Sequence, residues 1–181
     1  MFLSDTTLRA LMEDGSLQIT PPVEDKNIRP QGIRLHLDHT LIHYAPQRVD
    51  PTKDMDLRYE TIDIAKEPFI LKPQGFVLGS TREMIKTPRH IFALLDGRST
   101  LARLGLTVHI TAAVADGLYE EPRAITLEIF NASNMEIVLS HKMAIGALLF
   151  AELDQPVQQE AQSQYRHQKG AQPANLKDQF G

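Results

Sequence analysis

Apolar and polar residues alternate at short range along most of this chain. Near the start, Leu8, Leu11 and Met12 fall at i, i+3 and i+4, the spacing that shares one helical face. Ser4 or Asp5 stands where an N-cap is wanted, and Gly15 where a helix ends. The pattern predicts one short helix there. Beyond it a period of two takes over: Leu17 and Ile19 alternate with polar neighbours, and Ile33, Leu35 and Leu37 share one face of a strand. Residues Val49 to Glu67 offer few apolar positions and read as an excursion loop. Short apolar runs follow at Phe69 to Leu71, Phe76 to Thr81, Ile91 to Leu95, Leu106 to Ala112, Ile125 to Asn131 and Ile145 to Phe150, with turn signals such as Lys72-Pro73-Gln74-Gly75 between them. One helical turn fits from Ser99, as N-cap, to the terminator Gly105. Many short strands and few short helices specify a mainly β fold, a distorted β-barrel or a jelly-roll-like sandwich.

The character changes at about Leu153. Gln155, Pro156, Gln158, Gln159, Gln162, Gln164, Gln168 and Gln172 then dominate, with almost no apolar residues. Such a tail cannot bury enough surface to fold by itself, so it is either disordered or ordered by docking, for instance as a lid over a ligand. The chain therefore divides into a β domain over 1–153 and a Gln-rich tail over 154–181, and its 181 residues are the length of one domain with a tail. The net charge of −4 gives no global basic field for nucleic acid. Cysteine is absent, which excludes disulfides, thiol nucleophiles, iron–sulfur clusters and Cys-ligated zinc. No apolar run approaches the roughly 18 residues that cross a bilayer, and the N-terminus lacks the pattern of a signal peptide. A soluble, cytoplasmic protein without membrane or nucleic-acid partners is the expectation.

Three groups of residues invite chemistry. His36, His39 and His43 have a spacing that would align metal ligands on a helix, but the local pattern is strand-like and scatters them over both faces, so ordinary surface histidines are expected. His109 reads as structural. Gly97-Arg98-Ser99-Thr100 is no nucleophile elbow; its N–H groups and its arginine suit either a phosphate cradle or a capped turn beside a surface charge. Glu128 is the most informative single residue. In the strand from Ile125, the side chains of Ile125, Leu127 and Ile129 share one face, and Thr126, Glu128 and Phe130 share the other. That second face is either wet or the wall of a pocket. A carboxyl group beside Phe130 in a pocket could exchange protons near neutrality.

At Asp96 to Leu106 the string D-G-R-S-T-L-A-R-L-G-L is followed by V-H-I-T-A ending at Ala112, by I-T-L-E-I-F-N from Ile125 to Asn131, and by I-G-A-L-L-F from Ile145 to Phe150. With the opening L-S-D-x-x-L and the tail segment Q-Y-R-H-Q-K-G, this resembles the dCTP deaminase family, itself related to the trimeric dUTP pyrophosphatases. The resemblance implies a β-barrel of the dUTPase type, a homotrimer with active sites between subunits, and hydrolysis of the 4-amino group of dCTP to give dUTP and ammonia in pyrimidine deoxynucleotide synthesis. It implies magnesium held through the triphosphate, no zinc and no metal ligands from the protein.

By motif position, Glu128 would be the catalytic base. Ser99 and the Ala112 carbonyl would hold the attacking water, and Arg103 would orient the carboxylate. The turn of Arg98, Ser99, Thr100, Leu101 and Ala102 would meet the phosphates. Thr126 and Leu127 would read the base edge through their backbone. Asp116 and Tyr119 would stand at the sugar, and Gln168 would close over the nucleotide from the tail. The sequence departs from the family pattern at Ala113 to Tyr119, in a longer Glu120-Glu121-Pro122-Arg123 segment, at Gln164 in place of a lysine, at Val157, near which a tyrosine is missing, and at Gln31-Gly32-Ile33-Arg34 in place of S-x-D. Two other readings stay open. One is a dUTP pyrophosphatase or bifunctional enzyme that releases dUMP and pyrophosphate. The other is a non-catalytic trimer that binds dCTP or dTTP and regulates.

Overall fold

A computed structural model describes residues 1–160, 164, 165 and 167–177; Gln162 and Arg166 of the tail lie outside the described residues. The helix α1 spans Asp5–Glu13 and buries Leu8 completely, while Leu11 and Met12 pack against the core from the same face. Ser4 occupies the N-cap position, but its side chain makes no capping bond. The strands follow as β1 (Gln18–Thr20), β2 (Ile28–Arg29), β3 (Gly32–His36), β4 (Thr40–Tyr44), β5 (Tyr59–Asp63), β6 (Phe69–Leu71), β7 (Phe76–Ser80), β8 (Met84–Lys86) and β9 (Ile91–Asp96). A short helix α2 (Ser99–Arg103) comes next, then β10 (Leu106–Thr107), β11 (Thr126–Asn131), β12 (Ile137–Leu139) and β13 (Ala144–Glu152).

These strands pair antiparallel in a five-stranded sheet β10-β11-β7-β4-β5, a four-stranded sheet β2-β3-β13-β9, and two ribbons, β1-β8 and β12-β6. The fold is mainly β, as the alternation predicts, with the strands shared among these sheets rather than closed into one barrel. Both large sheets send every second residue into one hydrophobic cluster. Ile33, Leu35, Leu148 and Phe150 come from one sheet, and Leu41, Val77, Leu127 and Ile129 from the other. The period of two that gives each strand an inner face thus also frees its outer face for other uses. No helix among the described residues is long and apolar enough to cross a membrane.

Three expectations need correction. The segment Val49 to Glu67 is not all loop, because β5 pairs residue by residue with β4. It is an edge strand with its residues mostly exposed, so no apolar alternation marks it. The run from Leu106 is a strand for only two residues, β10. The chain then leaves the ladder, with the Val108 carbonyl accepting from the Glu128 N–H (3.0 Å). Arg98, not Ser99, is the cap residue of α2; Ser99 is already helical. The three-residue strands β8 and β12 carry too few positions for a period to be seen.

Asn131 at the end of β11 is fully buried, yet every polar atom of its side chain is engaged. Its Nδ2 donates to the carbonyls of Leu71 (3.1 Å), Lys72 (3.1 Å) and Met135 (2.7 Å), and its Oδ1 accepts from the Ser133 N–H (3.0 Å) and hydroxyl (2.7 Å). A buried amide satisfied in this way ties three turns together instead of costing its desolvation. The same corner holds Gly105, which ends α2 at φ 81°. A methyl group there would meet Ser133 Cβ at 2.9 Å and its nitrogen at 3.0 Å. Gly105→Ala is expected to lower stability by about 1–3 kcal/mol, from left-handed backbone strain with the clash added, as read from the urea unfolding midpoint. Gly15 also has positive φ (77°) but nothing within 4 Å of an added Cβ, so Gly15→Ala should cost less.

Candidate active site

The outer face of the five-stranded sheet becomes the floor of a cavity of about 460 Å³. Thr126 and Glu128 on β11, Phe76 and Leu78 on β7 and Tyr44 on β4 line it. Register explains the grouping: Glu128 stands opposite Leu78, and Phe130 opposite Phe76. The wall is the 112–118 segment, including Ala112, Val114 and Asp116, and the roof is the tail, through Tyr165, Gln168 and Gln172. The face that bears Thr126 and Glu128 is therefore a pocket wall and not a wet surface.

Glu128 is half-buried, and its position is set at both ends. Its N–H is held by the Val108 carbonyl, and its Oε2 accepts from the N–H of Ile110 (2.8 Å). This contact uses one carboxylate oxygen, in a cavity that Ala112 also lines two residues beyond Ile110. A carboxylate oriented by a backbone donor, with a backbone segment running past it, can take a proton from a bound water and return it.

The tail docks without needing an apolar core of its own. Gln168 is buried, and its Nε2 donates to the Thr126 hydroxyl. The Ala174 N–H donates to the Tyr44 hydroxyl (2.7 Å), and the Asn175 N–H to the Tyr165 hydroxyl (2.9 Å). Burial pushes the Tyr44 phenol above its ordinary pKa, which keeps the acceptor neutral. A second hollow of about 350 Å³ lies between residues 54–59 and 172–177, and the tail separates it from the first. Gln164 belongs to that second hollow, where its side chain donates to the Lys177 carbonyl (3.1 Å).

The sequence-predicted residues divide into two groups. Glu128, Ala112, Asp116, Thr126 and Gln168 are brought together on the cavity. Arg98, Ser99, Thr100, Leu101, Ala102 and Arg103 are not; none of them lines it within the chain. Leu101 is buried in the core, whereas Ser99, Thr100, Ala102 and Arg103 are exposed on α2. Arg98 Nη1 donates to the Ala144 carbonyl (2.9 Å), and Arg98 and Arg29 both lie within electrostatic range of Arg34. Burial and then these two like charges hold the Arg34 guanidinium below its usual pKa. The α2 turn is thus strongly cationic, with no carboxylate paired to Arg29, Arg34, Arg98 or Arg103 among the described residues.

Leu127 is wholly buried in the core, which leaves its backbone as the part that could meet a ligand, as expected. One other placement differs from expectation. Tyr119 does not line the cavity: its hydroxyl donates to the Gln159 carbonyl (3.0 Å), and its ring packs against the Arg89 guanidinium at 5.0 Å. The three histidines scatter to separate partners, His36 to Glu83 (2.7 Å), His39 to Asp38 (2.9 Å) and His43 to Glu60 (2.9 Å). His109 is half-buried, with Nδ1 lacking a partner.

Sequence reasoning missed Arg123 as a site residue. It is buried and lines the cavity, although it sits in the extended Glu120–Arg123 segment. Burial lowers its pKa, and the nearby carboxylate of Asp116 opposes that shift most strongly. A lone arginine between Pro122 and Ala124 carries no pattern that would flag it. Tyr44, Phe76 and Leu78 were equally hidden, because strand order alone brings them beside β11.

With this geometry in place, comparison with known proteins is specific. The dCTP deaminase-like family matches residues 2–153. A protein named "dCTP deaminase, dUMP-forming" from Dictyoglomus thermophilum is 36% identical over 192 residues, covering 99% of this chain and 97% of the relative. A protein of the same name from Mycobacterium tuberculosis is 35% identical over 189 residues, covering 99% and 98%. Among solved structures, the 2'-deoxycytidine 5'-triphosphate deaminase of Agrobacterium tumefaciens superposes with a TM-score of 0.64 at 16% identity, over 82% of this chain. This chain spans 47% of that one, and at such identity the likeness speaks to the fold.

If Gln168 and Thr126 hold the tail, removing either partner should loosen it. Gln168→Ala and Thr126→Val are each expected to speed tryptic cleavage at the exposed Lys169 about fivefold, the equivalent of about 1 kcal/mol for one hydrogen bond. Unchanged cleavage in both variants would contradict the docking described.

Proposed function

The chain belongs to the dCTP deaminase-like family, and we propose that it hydrolyses dCTP at the 4-amino group and carries the product on to dUMP and pyrophosphate. It is an enzyme of the hydrolase class that acts on a C–N bond. The observation that carries the reading is the Glu128 carboxylate on the cavity wall, fixed by the Ile110 N–H and beside Ala112. dUTP is the product implied first by motif resemblance. The name shared by relatives at 35–37% identity favours instead the dUMP-forming alternative.

In this reading Glu128 takes a proton from a water held near the Ala112 carbonyl. The resulting hydroxide adds to C4 of cytosine, forming the C–O bond, while the proton passes to N3. Glu128 then takes the proton of the new hydroxyl and delivers it to the amino group. The C–N bond breaks, ammonia leaves, and a carbonyl remains at C4. Thr126 and the Leu127 backbone face the base, Asp116 the sugar hydroxyl, and Gln168 closes the cavity from the tail. The second hydrolysis uses the same cavity and the Asp116 region. Water adds to the α-phosphorus, the bond to the bridging oxygen breaks, and dUMP and pyrophosphate depart. Magnesium enters as part of the substrate, bound by triphosphate oxygens. dTTP offers the same sugar and phosphates and would compete for the site.

Ser99 and Arg103 are exposed and outside their own chain's cavity. A second copy of the chain would supply them, with the cationic α2 turn meeting the phosphates, in a homotrimer whose sites lie between subunits. The exposed apolar side chains of Leu104, Ile110 and Val114 flank these elements and suit a protein contact.

Incubation with dCTP and magnesium, resolved by chromatography, should yield dUMP, pyrophosphate and ammonia. Accumulation of dUTP would restore the simpler deaminase reading, and unchanged dCTP would favour the regulatory one. Glu128→Gln should lower turnover by about 10²–10⁴-fold while dCTP binding and the oligomer persist. A mixture of Glu128→Gln and Arg103→Ala chains, co-refolded, should recover part of the activity that each lacks alone. No recovery would count against sites shared between subunits.

A further inference from the structure

One cluster of donor atoms lies away from the cavity. Asp38 and His39 sit in the β3–β4 connection, and His141 sits in the β12–β13 turn about a hundred residues later. Their ligand atoms all lie within 4.8 Å of one another. His39 Nδ1 is 2.9 Å from Asp38 Oδ1, and His141 Nε2 is 4.0 Å from the same oxygen. The two imidazoles meet edge to face, with centroids 5.8 Å apart and planes at 63°. None of the three lines the cavity.

The backbone holds these donors in place from two directions. The Leu37 N–H donates to the Met143 carbonyl (2.9 Å), and the Lys142 N–H returns to the Leu37 carbonyl (2.9 Å). Asp38 N–H donates to the Ser80 carbonyl (2.9 Å), and the His39 carbonyl accepts from Ile64 (2.7 Å). Lys142 adopts φ 65°, which turns the chain sharply straight after His141. The two segments are thus laced together, and the side chains face one another without needing to be ordered first.

We propose that Asp38, His39 and His141 form a binding site for a transition-metal ion of the zinc type, which clasps the β3–β4 connection to the β12–β13 turn. Two imidazole nitrogens and one carboxylate oxygen suit Zn²⁺, Ni²⁺ or Cu²⁺ and not the all-oxygen preference of Mg²⁺ or Ca²⁺. Ligand distances of about 2.0–2.2 Å in a tetrahedron separate donors by roughly 3.3–3.5 Å, between the two spacings found here. Water completes the set. Such a site departs from the expectation of no zinc and no metal ligands from the protein, because only the fold sets His141 against His39.

The ion would bind the folded chain and not the unfolded one, so it should raise the melting temperature by mass action. The test uses full-length protein stripped with chelator and titrated with Zn²⁺ by calorimetry, with thermal unfolding and Mg²⁺ as the control. One equivalent of Zn²⁺ should bind and raise the melting temperature. His39→Gln and His141→Gln should each weaken binding by roughly tenfold or more. Co²⁺ should give a ligand-field absorption spectrum that both variants lose, while their deamination of dCTP stays as in the parent. Absence of stoichiometric Zn²⁺ binding, or binding unchanged in both variants, would overturn the proposal.

Discussion

The hydrogen bond from the Ile110 N–H to the Glu128 carboxylate (2.8 Å) is the contact on which the site depends. β10 stops after two residues, and beyond it the Ile110 N–H turns to the carboxylate and not to a strand. Val108 makes the last backbone contact with β11, and the chain peels away to build the wall that contains Ala112 and Asp116. One irregularity therefore orients the carboxylate and opens the cavity in front of it. Fixed donors at a reacting group need no reorganisation during the reaction, which is why placement by backbone is effective.

The strand that carries Glu128 serves two environments at once. Leu127 and Ile129 enter a core that excludes water, and Thr126 and Glu128 line a cavity. A slip of one residue would exchange these faces and bury the carboxylate among leucines. Pairing with β7 over five residues, from Thr126 opposite Ser80 to Phe130 opposite Phe76, prevents the slip. Stability and chemistry share a single register here.

The tail and the α2 turn both present polar groups at the edge of the β domain. The tail has little apolar surface and is held by polar contacts to Thr126 and Tyr44, which a ligand could strengthen or replace. The α2 turn gathers arginines without carboxylate partners among the described residues, an arrangement that costs free energy in isolation and is relieved by an anion. Both features are what the proposed nucleotide site between copies would use.

Much of this was legible in the residues. The period of two specified a mainly β fold, α1 and α2 followed from spacing and terminal glycines, and Glu128 stood out because a carboxylate alternates there with core residues beside Phe130. The motif order from Asp96 to Phe150 indicated the family. Tertiary structure alone decided what pairs with what. It placed Tyr44, Phe76 and Leu78 beside β11, turned Tyr119 away toward Arg89 and Gln159, made Arg123 a cavity residue, and set His141 against His39. Local sequence records which face a side chain takes, because that depends on the backbone period. It does not record which strand lies next to it, because pairing between distant segments is settled only when the whole core closes.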